Sequence, residues 1–300
     1  MPELPDILAY LDALRPRVVG QPLRSIVVKS PFVLRTVEPG IDECEGKAVR
    51  AIDRIGKRFV FELEDDLFIV VHLMIAGRWR WAPAGPARPI AKVGLAVFRF
   101  DKGVLHLVES SKEKRASVHV HRGRDGLAIH DRGGVDVLTC PAGEFAGRLR
   151  AENHTVKRAL TDPRLFDGIG NAYSDEILHA AGLSPVRLTS KLTDDEIARL
   201  FEATRRTLRF WTEKLRAEFA GRFPGPGEIT AFRPDFAVHG KFGQPCPVCR
   251  TKVQRIRYAD NETNYCPRRQ TNGTVLADRS LSRLLKSDWP RSVEEWESQR

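Results

Sequence analysis

The chain opens Met1-Pro2-Glu3-Leu4, and Pro2 and Glu3 could do chemistry together. A small residue after Met1 lets the initiator be removed, which would leave the Pro2 nitrogen as a free secondary amine. An α-amino group titrates at roughly 7.7–8.0, against about 10.4 for lysine, so a useful fraction is neutral near neutrality. A neutral amine attacks a sugar or aldehyde carbon and forms a Schiff base, and an adjacent carboxylate can shuttle the protons. By themselves the two residues say little, because proline and glutamate also stand near an N-terminus by accident. A second candidate is Leu165-Phe-Asp-Gly-Ile-Gly-Asn171, where two glycines precede Asn171. Small residues let the backbone approach a ligand, and a following helix would offer free N–H groups and the Asn171 amide to a phosphate. A tight helix–helix turn explains the same pattern equally well.

The third candidate is a cysteine group. Cys246-Pro-Val-Cys249 is followed, sixteen residues on, by Tyr265-Cys266-Pro-Arg-Arg269. Two Cys-x2-Cys pairs facing each other make a zinc ribbon, because tetrahedral Zn²⁺ takes four nitrogen or sulfur ligands. Here Arg269 stands where the fourth ligand belongs. His239 or a water could complete the site. Alternatively the hairpin holds by packing and binds metal weakly or not at all.

Several elements must position these residues. Ile7, Leu8, Leu11 and Leu14 predict a helix over 6–19, stopped at Gly20. From about 23 to 139 the chain is strand-rich, in runs beginning Ser25, Ala48, Arg58, Phe68 and Gly94. This half is expected to be a β-sandwich or barrel carrying the N-terminal helix. Near Pro141 the pattern turns helical, through Phe223. Thr193-Asp-Asp-Glu196 is a capping box opening a helix with Ile197, Leu200, Phe201, Leu208, Trp211 and Leu215 on one face. Gly221 to Gly227 makes a plausible hinge. The expected domains are 1–140, 141–230, a cysteine-bearing basic unit at 235–275, and a 276–300 extension with a short helix at Leu281, Leu284 and Leu285.

The net charge of +10, from 49 Lys+Arg against 39 Asp+Glu, makes a polyanion the leading partner and nucleic acid the commonest one. The longest apolar run, Leu67 to Ile75, is interrupted by His72 and is strand-length, so no membrane span is expected. No basic-then-apolar leader is visible. Five cysteines, an odd number, in an intracellular-looking chain argue against a disulfide framework, with Cys44 and Cys140 as packing thiols.

Taken in order, MPELPD, Lys57 in Ile55-Gly-Lys-Arg-Phe, His72-Leu, Gly77, Asp167-Gly-Ile-Gly-Asn-Ala-Tyr-Ser-Asp-Glu176 and the cysteine ribbon resemble the formamidopyrimidine-DNA glycosylase / endonuclease VIII family. The resemblance runs across nearly the whole chain. It implies an α+β fold: an N-terminal β-sandwich with a helix, a helix–two-turn–helix domain, and a zinc-ribbon-like hairpin. It implies Pro2 as nucleophile on C1′ of a flipped nucleoside, Glu3 as the acid/base that opens the sugar, and Lys57 on the phosphate beside the lesion. Asn171 would grip a phosphate, Glu176 belongs to the same motif, and Tyr173 would pack or touch sugar. Lys157 joins the expected DNA-contacting set. Cys246, Cys249 and Cys266 would hold one Zn²⁺.

The departures from the family bear on specificity. Purine-specific members carry Asp-Pro-Arg-Arg-Phe after the hairpin, where this chain reads Glu109-Ser-Ser-Lys-Glu-Lys-Arg-Ala116. Arg115 can keep the arginine role, but Ala116 cannot be an aromatic wedge. Met74-Ile75-Ala76 replaces Gly-Met-Ser, so Met74 or Ile75 must fill the hole left by the flipped base. The family's phosphate-clamping arginine falls at Asn261. Without a wedge the enzyme is expected to favour unpaired lesions, and Ala116→Phe to reduce that preference.

The expected function is a bifunctional DNA glycosylase and AP lyase of base excision repair, acting as a monomer on damaged double- or single-stranded DNA in the bacterial cytoplasm, at the nucleoid. The alternatives are a damage-binding protein of the same fold with little turnover, and an AP lyase with weak base excision.

Overall fold

The computed structural model describes residues 1–86, 88–258, 261–277, 290 and 292–298. The expected helix at Leu281 to Leu285 lies outside them. The chain divides into two compact units, Met1–Arg132 with Trp211–Ala231, and Gly133–Phe210 with Phe232–Arg300.

The first unit begins with α1, Leu4–Val18. Pro5 sits in its first turn, where the missing N–H costs nothing, and Asp6 Oδ2 accepts the Glu3 N–H at 3.0 Å. Ile7, Leu11, Leu14 and Val18 face the core. Two four-stranded antiparallel sheets follow. One has the order β2 (Val49–Ile55), β3 (Arg58–Leu63), β4 (Leu67–His72), β8 (Ser117–Arg122). The other has the order β1 (Ser25–Val28), β6 (Gly94–Phe100), β7 (Gly103–Glu109), β5 (Gly77–Ala82). Strands β5, β7 and β8 add to the five expected runs. Phe59, Phe61, Ile69, Val71, Val118 and Val120 meet Trp79, Phe98, Leu105 and Leu107 in the sandwich core. The Trp79 ring stands edge-on to Phe59, Phe61 and Phe98 at 5.9–6.0 Å, contacts worth about 0.5–1.5 kcal/mol each beyond area burial. The other face of the first sheet is covered too: Val60, Phe68 and Val70 pack with Leu127 of a 3-10 segment, Arg124–His130. Leu215, Phe219 and Ile229 complete the main core, so the chain from Trp211 to Ala231 belongs with this unit.

The second unit carries α2 (Ala142–Arg150), α3 (Val156–Thr161), α4 (Asn171–Ala181) and the start of α5 (Asp194–Phe219). The capping box forms as expected: Glu196 Oε2 accepts the Thr193 N–H at 2.9 Å, and Thr193 Oγ1 accepts the Glu196 N–H at 3.2 Å. All six expected face residues of α5 are buried. Gly182 ends α4 in the left-handed region (φ 64°), which a glycine enters without steric cost. Phe145 packs its ring on Phe166 and Phe201 at 4.6 and 5.2 Å. A hairpin, β9 (Gln254–Tyr258) with β10 (Asn261–Tyr265), leads into the short α6 (Pro267–Thr271); α7 spans Val293–Ser298. Among the described residues no helix is long and apolar enough to cross a membrane.

Candidate active site and DNA-contacting elements

In the first unit, α1 starts so early that it carries the N-terminus into the protein. Pro2 is buried and Glu3 is only 3% exposed. Burial lowers the Met1 amine below its ordinary 8.0; Arg78 and Lys57 push the same way, against the charges of Glu3 and Asp6. Removal of Met1 would hand this setting to the Pro2 nitrogen. Lys57 sits half-buried in the two-residue turn between β2 and β3, where Gly56 takes a φ of 61°. The four residues are thus within electrostatic reach of one amine.

The connection from β4 to β5, which passes from one sheet to the other, turns tightly at Gly77, whose N–H meets the Leu73 carbonyl at 2.9 Å. A Cβ there would lie 2.1 Å from that oxygen, so the position requires glycine. The turn leaves Met74 partly covered, in the left-handed region, and Ile75 59% exposed at the tip. Arg78 braces it, donating from Nε to the Ile229 carbonyl at 2.8 Å and from Nη1 to the Ile75 carbonyl at 3.1 Å. Arg115 is exposed and paired with Glu113 on the loop after β7. The Glu109 carboxylate fixes the end of that loop by accepting the Arg115 and Ala116 N–H groups at 2.9 and 3.0 Å. Ala116 itself is 1% exposed, within the sandwich core. The expectation that Ala116→Phe restores a wedge is therefore corrected: a ring there would enter the core.

In the second unit Asn171 opens α4, and its Nδ2 donates to the Glu262 carbonyl of β10 at 3.0 Å. Lys157 pairs with Asp175, its side chain 12% exposed against 0% for the aspartate. Its Nζ also reaches the Asn171 carbonyl at 3.3 Å. Lys157 is thus part-buried and tied to the start of α4. Asp175 also meets His239 Nδ1 at 2.8 Å and accepts the Asn264 N–H at 3.1 Å. Glu176 accepts the N–H groups of Ala237, Val238 and His239 at 2.7–2.9 Å, while its burial raises its pKa. Tyr173 is buried and stands edge-on to Phe236 at 5.5 Å, in keeping with the packing alternative. Asn261 starts β10, its backbone paired with Tyr258.

The three ribbon thiols converge, with Cys246, Cys249 and Cys266 Sγ atoms within 4.8 Å of one another. Burial pushes Cys249 up, but hydrogen bonds to Thr251 and the neighbouring thiols outweigh it and bring the thiol down to about 7. His239, one alternative for the fourth donor, is engaged through Nδ1 by Asp175. The imidazole beside the group is His179 of α4, its Nε2 3.3 Å from Cys246 Sγ, although it lies outside the set of ligand atoms that are all within 4.8 Å of one another. Burial, helped by Arg269, lowers His179 to about 4 and keeps it a neutral donor. Arg269 donates from Nε to the His179 carbonyl at 3.0 Å, so it props the helix that carries this ring. Three thiolates and a neutral imidazole suit Zn²⁺. His179 escapes sequence reasoning because it lies 67 residues before Cys246 and in no ligand spacing.

Comparisons with known proteins agree along the chain. The model of the formamidopyrimidine-DNA glycosylase N-terminal domain matches residues 1–116, that of its H2TH domain residues 138–215, and the zinc finger found in FPG and IleRS residues 243–268. The formamidopyrimidine-DNA glycosylase of Thermus thermophilus is 32% identical over 280 residues, covering 91% of this chain and 100% of that protein. A structure of MutM with carbocyclic 8-oxo-G DNA superposes with a TM-score of 0.78 at 26% identity, covering 90% of this chain and 100% of that one. Lactococcus lactis Fpg with abasic-site DNA gives 0.77 at 25% identity, over 90% and 99% of the two chains. With sandwich, helical domain and finger matched in order, the chain belongs to the formamidopyrimidine-DNA glycosylase family.

Proposed function

We propose that this protein excises damaged bases and nicks the strand through a Schiff base formed at the Pro2 nitrogen. The protein is a DNA glycosylase and AP lyase of base excision repair. The observation that carries the route through Pro2 is the burial of Pro2 and Glu3 at the start of α1, in a setting that pushes the Met1 amine below its ordinary value. The neutral amine attacks C1′ of the lesion nucleoside, and the base leaves as the C1′–N bond breaks. Glu3 delivers the proton that opens the sugar ring. The resulting iminium acidifies the C2′ hydrogen, and its loss expels the neighbouring phosphate, which cuts the strand. Lys57 holds a backbone phosphate, and Ile75, with Met74, fills the gap left by the flipped nucleotide. Arg115 and Asn171 contact DNA, while Lys157, Tyr173 and Asn261 set α4 and the hairpin.

The ribbon cysteines support zinc binding, and His179, 3.3 Å from Cys246 Sγ, would have to draw closer to the whole thiol group to serve as its fourth ligand. Bound zinc would supply a structural cross-link holding the hairpin to α4. A lyase with weak base excision is the second reading; the loop Ser110 to Arg115, which has no aromatic residue, favours it. The protein acts as a monomer on double- or single-stranded DNA, at the bacterial nucleoid.

Strand nicking of oligonucleotides carrying an abasic site or 8-oxoguanine tests the function. Wild type is expected to nick the abasic strand, and Pro2→Gly to lose at least a hundredfold of that rate, given about 10²–10⁴-fold for a positioned catalytic group. Equal nicking by both would overturn the route through Pro2.

A further inference from the structure

The first unit holds a side-chain cluster that the repair chemistry does not use. Strand β8 alternates strictly: Val118 and Val120 enter the sandwich core, while His119 and His121 stand on the opposite face. Their rings lie parallel, 9° apart in plane and 6.1 Å between centroids. The 3-10 segment Arg124–His130 folds back over this face and ends by placing the His130 ring edge-on to both, at 4.7 and 5.0 Å. His121 Nε2 and His130 Nε2 are 2.8 Å apart, and one nitrogen from each of the three rings falls within a 4.8 Å group.

Two alternatives exist for such a group. Imidazoles can pack edge-on and share one N–H···N hydrogen bond, as His121 and His130 do here. They can also share a cation. Zn–N bonds of about 2.0–2.1 Å put tetrahedral nitrogens roughly 3.3 Å apart, between the 2.8 Å pair and the outer limit of the group. Small ring rotations therefore suffice. Burial lowers all three histidines, His119 and His130 to about 4, so at neutral pH the rings are in the donor form that metals bind. His130 is 4% exposed, whereas His119 and His121 are only half-buried, which leaves one side of the cluster open to solvent. The opposing charge is Arg58, whose Nη1 donates to the His130 carbonyl at 3.4 Å, with Arg35 on the His119 side. Three neutral nitrogens and no carboxylate in the group disfavour Mg²⁺ and Ca²⁺, which take oxygen ligands.

We propose that His119, His121 and His130 form a second metal site, separate from the cysteine ribbon, that binds a borderline divalent transition ion of the Zn²⁺, Co²⁺ or Ni²⁺ class through three imidazoles. The ion fastens the 124–130 segment to β8, and the remaining coordination position faces solvent. This site rests on the geometry of the first unit alone and stands or falls independently of the reaction at Pro2.

Cobalt distinguishes the two sites in the metal-free full chain. Co²⁺ in the ribbon gives intense thiolate-to-metal absorption in the near ultraviolet, and Co²⁺ on imidazoles gives only weak visible bands. Equilibrium dialysis is expected to find two Co²⁺ per chain. His121→Gln and His130→Asn, each made singly, are expected to bind one and to keep the full thiolate band. Cys249→Ser is expected to lose that band and keep the weak one. Metal-free melting temperatures identical to wild type would show that the histidine variants are folded. If one variant falls short, the other carries the test, and added Co²⁺ should raise the wild-type melting temperature more than that variant's. One Co²⁺ per wild-type chain carrying the full thiolate band, or no loss of Co²⁺ in either histidine variant, would overturn the proposal.

Discussion

Burial of the Met1 amine, with Arg78 and Lys57 in reach, lowers its pKa below the ordinary 8.0, and the Pro2 nitrogen would inherit that setting once Met1 is removed. The attacking form is neutral, so the rate rises with pH through the lowered value and is lost as the amine protonates below it. Covalent capture of an abasic site followed against pH is expected to show its acid limb below pH 8, and Lys57→Ala to move that limb upward by removing a positive charge. A limb at or above the ordinary amine value would contradict this account of Pro2. Ala116 gives the reverse lesson. Its small side chain reads in sequence as a missing wedge, but its 1% exposure makes it core. Ala116→Phe is expected to destabilise by about 1–3 kcal/mol, measured by urea unfolding, without improving duplex selectivity. Ile75 is the residue to truncate for selectivity: Ile75→Ala should leave stability within about 0.5 kcal/mol and lower duplex activity more than single-strand activity. Periodicity could not separate the two cases, because exposure of a single residue depends on how a loop closes.

Among the elements, α4 and α5 were legible because their signals are local. Gly182 stops one, the Thr193 capping box starts the other, and the apolar face repeats at helical spacing. Strand β7 was harder, since all seven residues are buried and no alternation marks it. Strand β8 alternates, but with histidines on its outer face it resembles a polar connection. The Lys157–Asp175 pair was invisible for a different reason: the partners are on different helices and meet only in the folded unit. A buried pair left half-broken costs about 3–5 kcal/mol, so Lys157→Ala should lower unfolding stability by that order as well as DNA affinity. Loss of affinity alone would mean an open phosphate contact. The histidines packed on the sheet give a pH window. His72 is held at about 3 and His119 and His130 at about 4, each by burial first, against an ordinary 6.5. The unfolded chain takes up protons below 6.5 that the folded chain refuses, so stability is full above pH 6.5 and declines as pH falls toward 4. Metal-free thermal melts between pH 7.5 and 4.5 should show this decline, and His119→Gln should flatten it.

For the whole molecule, the charge of +10 anticipated a polyanionic partner, and the ordered motifs anticipated the family that the domain matches establish. What the chain order concealed was the approach of His179 to Cys246, 67 residues on, and the folding of His130 back onto β8. The central claim is that one backbone nitrogen, that of Pro2, is the nucleophile. The most direct measurement is borohydride reduction of the protein with an abasic-site oligonucleotide, followed by mass spectrometry of the cross-linked peptide. The account predicts a reduced adduct on the peptide beginning at Pro2, with Met1 removed. An adduct on a lysine side chain such as Lys57, with Pro2→Gly trapping as much DNA as wild type, would contradict it.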